Sequence, residues 1–239
     1  MSTYGDWSLW QRCLVYGSRL MAWLPTLGRV HVEGMEHLTS DRSLTSGPLI
    51  VVANHASNLD PPLVAGWLGP NLRRGSTVLA KEELFRGPLG PFLRYSGMVM
   101  VKTGGSDIDA YRATKAVLDR GDVILLFPEG TRSSTGIVGT GHAGVAMLAA
   151  REHVPVLPVG LSGTDLLLGR GRNWPRIGTR VTIRVGEPFV LTLDPSLSRR
   201  EGLLAASDEV MRRISDLVDP RQRPPAAAAG PDTPASEEG

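Results

Sequence analysis

The 239-residue sequence contains a single cysteine, Cys13. One cysteine excludes an internal disulfide framework and a cysteine-based zinc site, and it fits a reducing compartment. No stretch reaches the roughly 18–20 uninterrupted apolar residues that a bilayer-spanning helix needs, and the first residues lack the basic region and cleavage site of a secretory signal peptide. The formal net charge is only +2, so no charge bias indicates a nucleic-acid-binding protein.

Motifs for several other chemistries are also missing. The five histidines show neither the H-x-x-x-H nor the H-E-x-x-H spacing of metal sites, and we expect neither a metal nor a cofactor. Gly104 and Gly105 do not belong to a G-x-x-x-x-G-K-[ST] phosphate loop, and they predict a simple turn. The sequence contains no G-x-S-x-G motif, which argues against a serine hydrolase such as a thioesterase or lipase.

The first 30 residues are unusual because three of the five tryptophans, Trp7, Trp10 and Trp23, lie there. We predict a helix over about residues 6–24, with a wide apolar arc and a narrow edge that contains Arg12 and Arg19. Tryptophan and arginine at such an edge suit the headgroup layer of a bilayer, so residues 1–30 are interpreted as a membrane-interface helix region. The alternative is that this helix packs on the protein's own domain. Both interpretations apply if one side of the helix packs on the domain and the other side faces lipid.

The other end of the chain has a different composition. Residues 220–239 are rich in Pro and Ala and show no apolar periodicity, which predicts a disordered tail. Just before it, apolar residues recur at helical spacing between Leu203 and Val218, which predicts a terminal amphipathic helix packed on the core.

Between these ends, short apolar runs alternate with segments of helical periodicity. This alternation predicts one α/β domain over residues 31–219, with a mixed, largely parallel central sheet flanked by helices. The predicted strands are 49–53, 77–80, 98–101, 123–127, 156–159 and 180–185. The predicted helices are 61–68, 83–95, 106–120 and 142–152.

Polar residues follow the first predicted strand directly, and α/β sheets usually carry their chemistry at such strand ends. The motif N-H-A-S-N-L-D occupies residues 54–60. A tight strand-to-helix turn would bring the carboxylate of Asp60 to Nδ1 of His55, which fixes the tautomer and leaves Nε2 free to accept a proton. The alternative is that Asp60 only serves as N-cap of the next helix and that His55 is an ordinary turn residue.

A second polar motif, F-P-E-G-T-R-S, follows the strand 123–127 at residues 127–133. Proline ends the strand, and Gly130 permits an unusual backbone turn. Arg132 offers a planar, permanently charged fork suited to a phosphate. Glu129 is expected to order this arginine or to bind a hydroxyl. An ordinary surface turn with a Glu–Arg pair is the alternative.

Together the two motifs resemble those of the glycerophospholipid acyltransferases. Over about residues 34–189 the sequence is similar to the bacterial 1-acyl-sn-glycerol-3-phosphate acyltransferase family, whose second block corresponds to residues 81–85 and 97–102 and whose fourth corresponds to 154–160. The resemblance implies a glycerol-3-phosphate acyltransferase-like fold. It also implies transfer of an acyl group from acyl-CoA or acyl carrier protein, as co-substrate, to the sn-2 hydroxyl of 1-acyl-sn-glycerol 3-phosphate (lysophosphatidic acid), which gives phosphatidic acid.

The resemblance also implies roles for single residues. His55 is expected to be the general base, oriented by Asp60, because histidine as a residue type titrates near neutrality and an alcohol needs a base to become a good nucleophile. The residues expected to bind the acceptor phosphate are Glu129, Gly130, Thr131, Arg132 and Lys102. Lys102 replaces the family's usual arginine and lacks its bidentate fork. Lys81 and Pro158 are candidates for the border of the acyl or acceptor channel.

The implied substrates also predict a location. Lysophosphatidic acid lies in the membrane and acyl-CoA lies in the cytoplasm, so we expect a peripheral protein on the cytoplasmic face of the cell membrane, with no nucleic-acid partner. Other acceptors, namely glycerol 3-phosphate, another lysophospholipid or a glycolipid, remain alternatives. An inactive lipid-binding homologue on the same fold is the alternative from a different functional class.

Overall fold

The computed structural model describes residues 9–39, 42–73, 76–82, 86, 98–101 and 107–225. The strands are β1 (Val30–Glu33), β2 (Leu49–Ala53), β3 (Ser76–Lys81), β4 (Val99–Val101), β5 (Val123–Leu126), β6 (Val156–Ser162) and β7 (Val181–Val185). The helices are α1 (Leu9–Thr26), α2 (Glu36–Thr39), α3 (Arg42–Ser46), α4 (Asp60–Leu72), α5 (Asp107–Leu118), α6 (Ala143–Glu152), α7 (Thr164–Leu168) and α8 (Arg199–Leu217).

The described strands form one seven-stranded sheet in the order β1-β7-β6-β2-β5-β3-β4. Every neighbouring pair is parallel except β6 and β7, which are antiparallel. The predicted mixed, largely parallel sheet is therefore confirmed. Because β6, β2, β5, β3 and β4 run in one direction, their carboxyl ends meet at the same edge of the sheet.

The centre of the sheet is apolar on both faces, as the continuous hydrophobic runs predict. All residues of β2 and β5 are buried. Along β2, Val51 packs in the core layer beneath α4, whereas Ile50 and Val52 pack in the opposite layer with residues of α5, α6 and α8. This alternation follows from the two-residue period of a strand, so the sheet carries a hydrophobic core on each face.

Helix α1 docks on α4 through an unexpected side. Its buried residues include Val15 and Ala22, whereas large residues of the predicted apolar arc such as Trp23 are exposed. Gly66 of α4 permits a close approach, since a Cβ there would lie 2.7 Å from the Cα of Arg19. The guanidinium of Arg19 also lies 5.2 Å from the ring centroid of Trp67. Small residues thus set the docked side, and several large apolar residues stay exposed.

One predicted boundary is wrong, one strand was not predicted, and one predicted helix cannot be compared. The strand β1 carries no recognised signal, because it is a four-residue edge strand with every second residue exposed. The predicted disordered tail begins too early: Pro220–Gln222 form a 3₁₀ turn, and Gln222 is fully buried with its amide donating to the carbonyl of Gly136 at 3.2 Å. The predicted helix 83–95 falls almost entirely outside the described residues.

The terminal helix α8 has a complete capping box. The hydroxyl of Ser198 accepts from the amide of Glu201, and the carboxylate of Glu201 accepts from the amide of Ser198. These bonds satisfy free amides at the helix start. None of the helices in the described ranges is long and apolar enough to cross a membrane.

Candidate active site

The two polar motifs lie side by side because the strands before them are neighbours. Strands β2 and β5 are parallel, with Val52 opposite Leu126. The chain therefore leaves both strands at the same edge of the sheet, and residues 54–60 face residues 127–133. The backbone joins the two loops directly, since the amide of Ser133 donates to the carbonyl of His55 at 2.7 Å.

The carboxylate of Asp60 organises the first loop. It is fully buried, and its Oδ2 accepts from the amides of Ala56 and Ser57, each at 2.7 Å. Asp60 is the first residue of α4, where the helix dipole favours a negative charge. The alternative that Asp60 serves only as the N-cap does not hold, because Leu59 occupies that position without a side-chain cap bond. The side chain instead turns back onto the loop that precedes the helix.

The same oxygen of Asp60 holds the imidazole of His55. Nδ1 of His55 lies 2.9 Å from Oδ2 of Asp60. Since this carboxylate oxygen already accepts two amide bonds, Nδ1 carries the proton and Nε2 presents a lone pair. The ring stacks on Phe127 with centroids 4.2 Å apart, and its side chain is 18% exposed. The arrangement leaves a histidine that is fixed in orientation and still reachable from solvent.

Glu129 joins the two loops through its carboxylate. Oε1 accepts from the amide of His55 at 2.8 Å, and Oε2 accepts from the amide of Gly139 at 3.1 Å. Burial raises the pKa of Glu129, and the two backbone hydrogen bonds oppose this shift. These contacts give Glu129 a role that the sequence does not predict, because its carboxylate fixes the backbone of the histidine loop. Its expected part in acceptor binding stays a prediction.

The second loop presents its remaining residues outward. Gly130 has φ +66, and a Cβ there would lie 2.8 Å from the ring of His142, so both the turn and the packing favour glycine. Thr131 is exposed and Arg132 is half-buried. Within the described ranges, no acidic side chain forms a salt bridge with Arg132. Its guanidinium is therefore available to an anionic ligand.

The sequence analysis assigned no role to two residues near the site. Asn54 is buried and extends the β2–β6 pairing: its Nδ2 donates to the carbonyl of Leu161 at 2.9 Å, and its Oδ1 accepts from the same residue's amide at 2.7 Å. The guanidinium of Arg170 lies 3.5 Å from the carbonyl of Arg132, and the preceding Gly169 pairs with Ser57. Sequence spacing gave no signal for Arg170, because it lies 38 residues from its contact.

The other predicted site residues are less informative. Lys81 is the last residue of β3 and pairs with Val101, and Lys102 lies outside the described residues. Pro158 is buried inside β6, where it pairs with Val52 and its carbonyl accepts from the amide of Gly186 at 2.8 Å. The structure therefore gives Pro158 a place in the sheet and shows no contact of it with the two loops.

The region that contains both loops matches a known family. Residues 29–162 match the family model described as Acyltransferase. The chain belongs to the acyltransferase family.

Similar proteins carry more specific names. The chloroplastic 1-acyl-sn-glycerol-3-phosphate acyltransferase LPAT1 of Arabidopsis thaliana is 30% identical over 146 residues, which cover 60% of this acyltransferase and 38% of the plant protein. A 1-acyl-sn-glycerol-3-phosphate acyltransferase of Limnanthes alba is 26% identical over 203 residues, which cover 83% of this chain and 64% of that one. The chain thus spans only part of the length of these relatives.

A solved structure shares the fold. The crystal structure of the 1-acyl-sn-glycerophosphate acyltransferase PlsC from Thermotoga maritima superposes with a TM-score of 0.63 at 31% identity, covering 87% of this acyltransferase and 79% of that chain. In the part of the chain that the structure describes, no group of three or more His, Cys, Asp or Glu side chains is placed to hold a metal ion.

Proposed function

We propose that this acyltransferase moves a fatty acyl group from an acyl thioester, either acyl-CoA or acyl-carrier protein, to the sn-2 hydroxyl of 1-acyl-sn-glycerol 3-phosphate, which gives phosphatidic acid. The observation that carries the proposal is that two hydrogen-bonded loops hold a general base and a cation. A histidine with a free Nε2 is bonded, through its own backbone, to the loop that presents an unpaired arginine. The names of the similar proteins support the choice of acceptor.

The proposed reaction begins at Nε2 of His55. Nε2 takes the proton of the acceptor hydroxyl while the oxygen attacks the thioester carbonyl carbon. The tetrahedral intermediate then collapses, the carbon–sulfur bond breaks, and the thiolate leaves and recovers the proton from the imidazolium. Asp60 keeps the ring oriented and stabilises the imidazolium charge through its contact with Nδ1. No acyl-enzyme is formed.

The acceptor is proposed to be held by its phosphate. Arg132 has the fork that matches two phosphate oxygens, and Arg170 brings a second guanidinium to the same loop. Gly130 and Thr131 are exposed residues of the same loop. Lys102 stays a candidate third cation on sequence grounds alone. Two arginines on the loops that adjoin the histidine loop favour an acceptor that carries a dianionic phosphate over a neutral glycolipid.

The proposed location is the cytoplasmic face of the membrane, where both substrates are accessible. The side of α1 that faces away from α4 exposes Leu20, Trp23 and Leu24. These side chains are suited to the headgroup layer. Because Val15 and Ala22 of the same helix are buried against the domain, substitutions on the exposed side test this role better than removal of residues 1–24, which would also uncover α4.

A panel of acyl donors and acceptors, with products identified by mass spectrometry, tests the proposed reaction. We expect acceptor-dependent thiol release with 1-acyl-sn-glycerol 3-phosphate, and a loss of about 100- to 10,000-fold in His55→Ala. His31→Ala, at an exposed histidine of β1, is the matched control and should keep native activity. A folded His55→Ala enzyme with near-native turnover would exclude the mechanism.

The phosphate role has a separate test. Arg132→Ala should raise the KM for the acceptor far more than the KM for the acyl donor, because only the acceptor's phosphate meets the guanidinium in this proposal. Equal changes in both KM values would show that Arg132 does not act as a phosphate clamp.

A further inference from the structure

The segment 169–180, between α7 and β7, exposes large apolar side chains. Trp174 is 81% exposed and Ile177 is 60% exposed. Exposure of one such residue is ordinary, but tryptophan and isoleucine three residues apart on one short loop form an apolar tip. Neither side chain is buried in the protein's own core.

Contacts at both ends hold this loop between the candidate active site and α1. At its start, Gly169 pairs with Ser57 in the histidine loop. At its end, the amide of Gly178 donates to the carbonyl of Pro25 at 2.8 Å, and the guanidinium of Arg29 donates to the carbonyl of Gly178 at 3.3 Å. The apolar tip is therefore next to the carboxyl end of α1.

The end of α1 continues the apolar surface. Trp23, Leu24 and Leu27 are all about half exposed or more, and Leu27 lies beside Gly178, where a Cβ would be 3.7 Å from its Cδ1. The loop tip and the end of α1 thus form neighbouring parts of one apolar surface. We refer to Trp23, Leu24, Leu27, Trp174 and Ile177 as the apolar rim.

Positive charge surrounds the apolar tip. The segment 169–180 contains four arginines and no acidic residue; they are Arg170, Arg172, Arg176 and Arg180. The described residues provide no salt bridge to any of these four. Aromatic and aliphatic side chains surrounded by unpaired arginines match a surface with an apolar interior and anionic headgroups.

We propose that the segment 169–180 is a second membrane-contact element, which inserts Trp174 and Ile177 into an anionic phospholipid surface beside α1. Arg172 and Arg176 contact the lipid phosphates, while Arg170 remains with the acceptor site. Because Gly169 pairs with Ser57, this docking brings the histidine loop to the bilayer surface. The inference rests on the proposed function, since a lipid acceptor requires an enzyme bound at the lipid surface.

Vesicle flotation tests the inference without any measurement of turnover. The full chain is mixed with vesicles of phosphatidylcholine alone or of phosphatidylcholine with phosphatidylglycerol. We expect the double variant Trp174→Ser, Ile177→Ser to bind both kinds of vesicle at least about tenfold more weakly. Arg172→Gln with Arg176→Gln should weaken binding about thirtyfold, and only on the anionic vesicles.

Matched controls exclude general effects of lost apolarity or charge. Ile108→Ser removes an isoleucine that is also 60% exposed but lies on α5, and Arg199→Gln with Arg200→Gln removes two exposed arginines of α8. Both controls should float like the native protein, and thermal unfolding should show all variants folded.

Several outcomes would overturn the inference. The first is that the Trp174→Ser, Ile177→Ser variant floats like the native protein, and the second is that Ile108→Ser weakens binding equally. The third is that the native protein is a dimer, which the Trp174→Ser, Ile177→Ser variant converts to a monomer while vesicle binding stays unchanged. The last result would identify the rim as a self-association surface. Vesicle binding with the expected variant effects, but without turnover of any acceptor, would leave the inference intact and refute the proposed function instead.

Discussion

Replacing Glu129 by glutamine separates a positioning role from a phosphate-binding role. The carboxylate accepts from the amides of His55 and Gly139 at 2.8 and 3.1 Å. Glutamine keeps one acceptor oxygen and turns an NH₂ group toward the other amide, so one bond to a charged group is lost. Such a bond contributes about 1.5–3 kcal/mol. Burial of the charge outweighs the two backbone bonds, since the pKa of Glu129 is raised, so relief of that charge cancels most of the loss near neutral pH.

The expected change in thermal stability follows from the chain length. For 239 residues, the unfolding entropy is about 0.5 kcal/mol/K, so a net loss of less than about 1 kcal/mol lowers the Tm at pH 7 by less than about 2 °C. Loosening the backbone of His55 misplaces its imidazole, and we expect kcat to fall about 10- to 100-fold. If positioning His55 is the only role of Glu129, the KM for the acceptor should stay near its native value.

Steady-state kinetics with a thiol-release assay and thermal unfolding measure these effects. Glu187→Gln, at an exposed glutamate, is the control and should change neither quantity. A Glu129→Gln enzyme with native kcat but a raised acceptor KM would refute the reasoning, since that pattern identifies Glu129 as an acceptor ligand.

Three further predictions follow from the same contacts. Burial raises the pKa of Glu129, so its stabilising contribution is present below the pKa of the unfolded state and is lost as pH rises through the pKa of the folded state. Glu129→Gln should therefore lower the Tm more at pH 4 than at pH 7. A Tm difference that does not change with pH would contradict this. Asp60→Asn should reduce kcat about 100- to 10,000-fold, because the amide can no longer balance an imidazolium at His55; a far smaller loss in a folded variant would argue against the pair. Asn54→Ala should lower the free energy of unfolding by about 2–4 kcal/mol, because two buried hydrogen bonds to Leu161 are lost. An unchanged midpoint in denaturant unfolding would show that these hydrogen bonds contribute nothing.

Local sequence determined the features that depend on neighbouring residues. The apolar runs of β2 and β5 could only be buried on both faces, and this predicted a parallel sheet. The contact between His55 and Asp60 spans five residues, so the dihedral angles of one short turn suffice to form it. Proline and glycine after β5 likewise predicted where the strand ends and the loop turns.

The tertiary structure alone decided which distant groups meet. Glu129 lies 74 residues from His55 in the chain, and only the pairing of β2 with β5 brings its carboxylate to the backbone amide of His55. Arg170 joins the site through the position of a loop that no local pattern marks. The docked side of α1 was equally hidden. The close approach of Arg19 to Gly66 and the burial of Ala22, and not the predicted apolar arc, distinguish it. Periodicity reports how apolar a face is, whereas packing depends on the shape of a partner that lies elsewhere in the sequence.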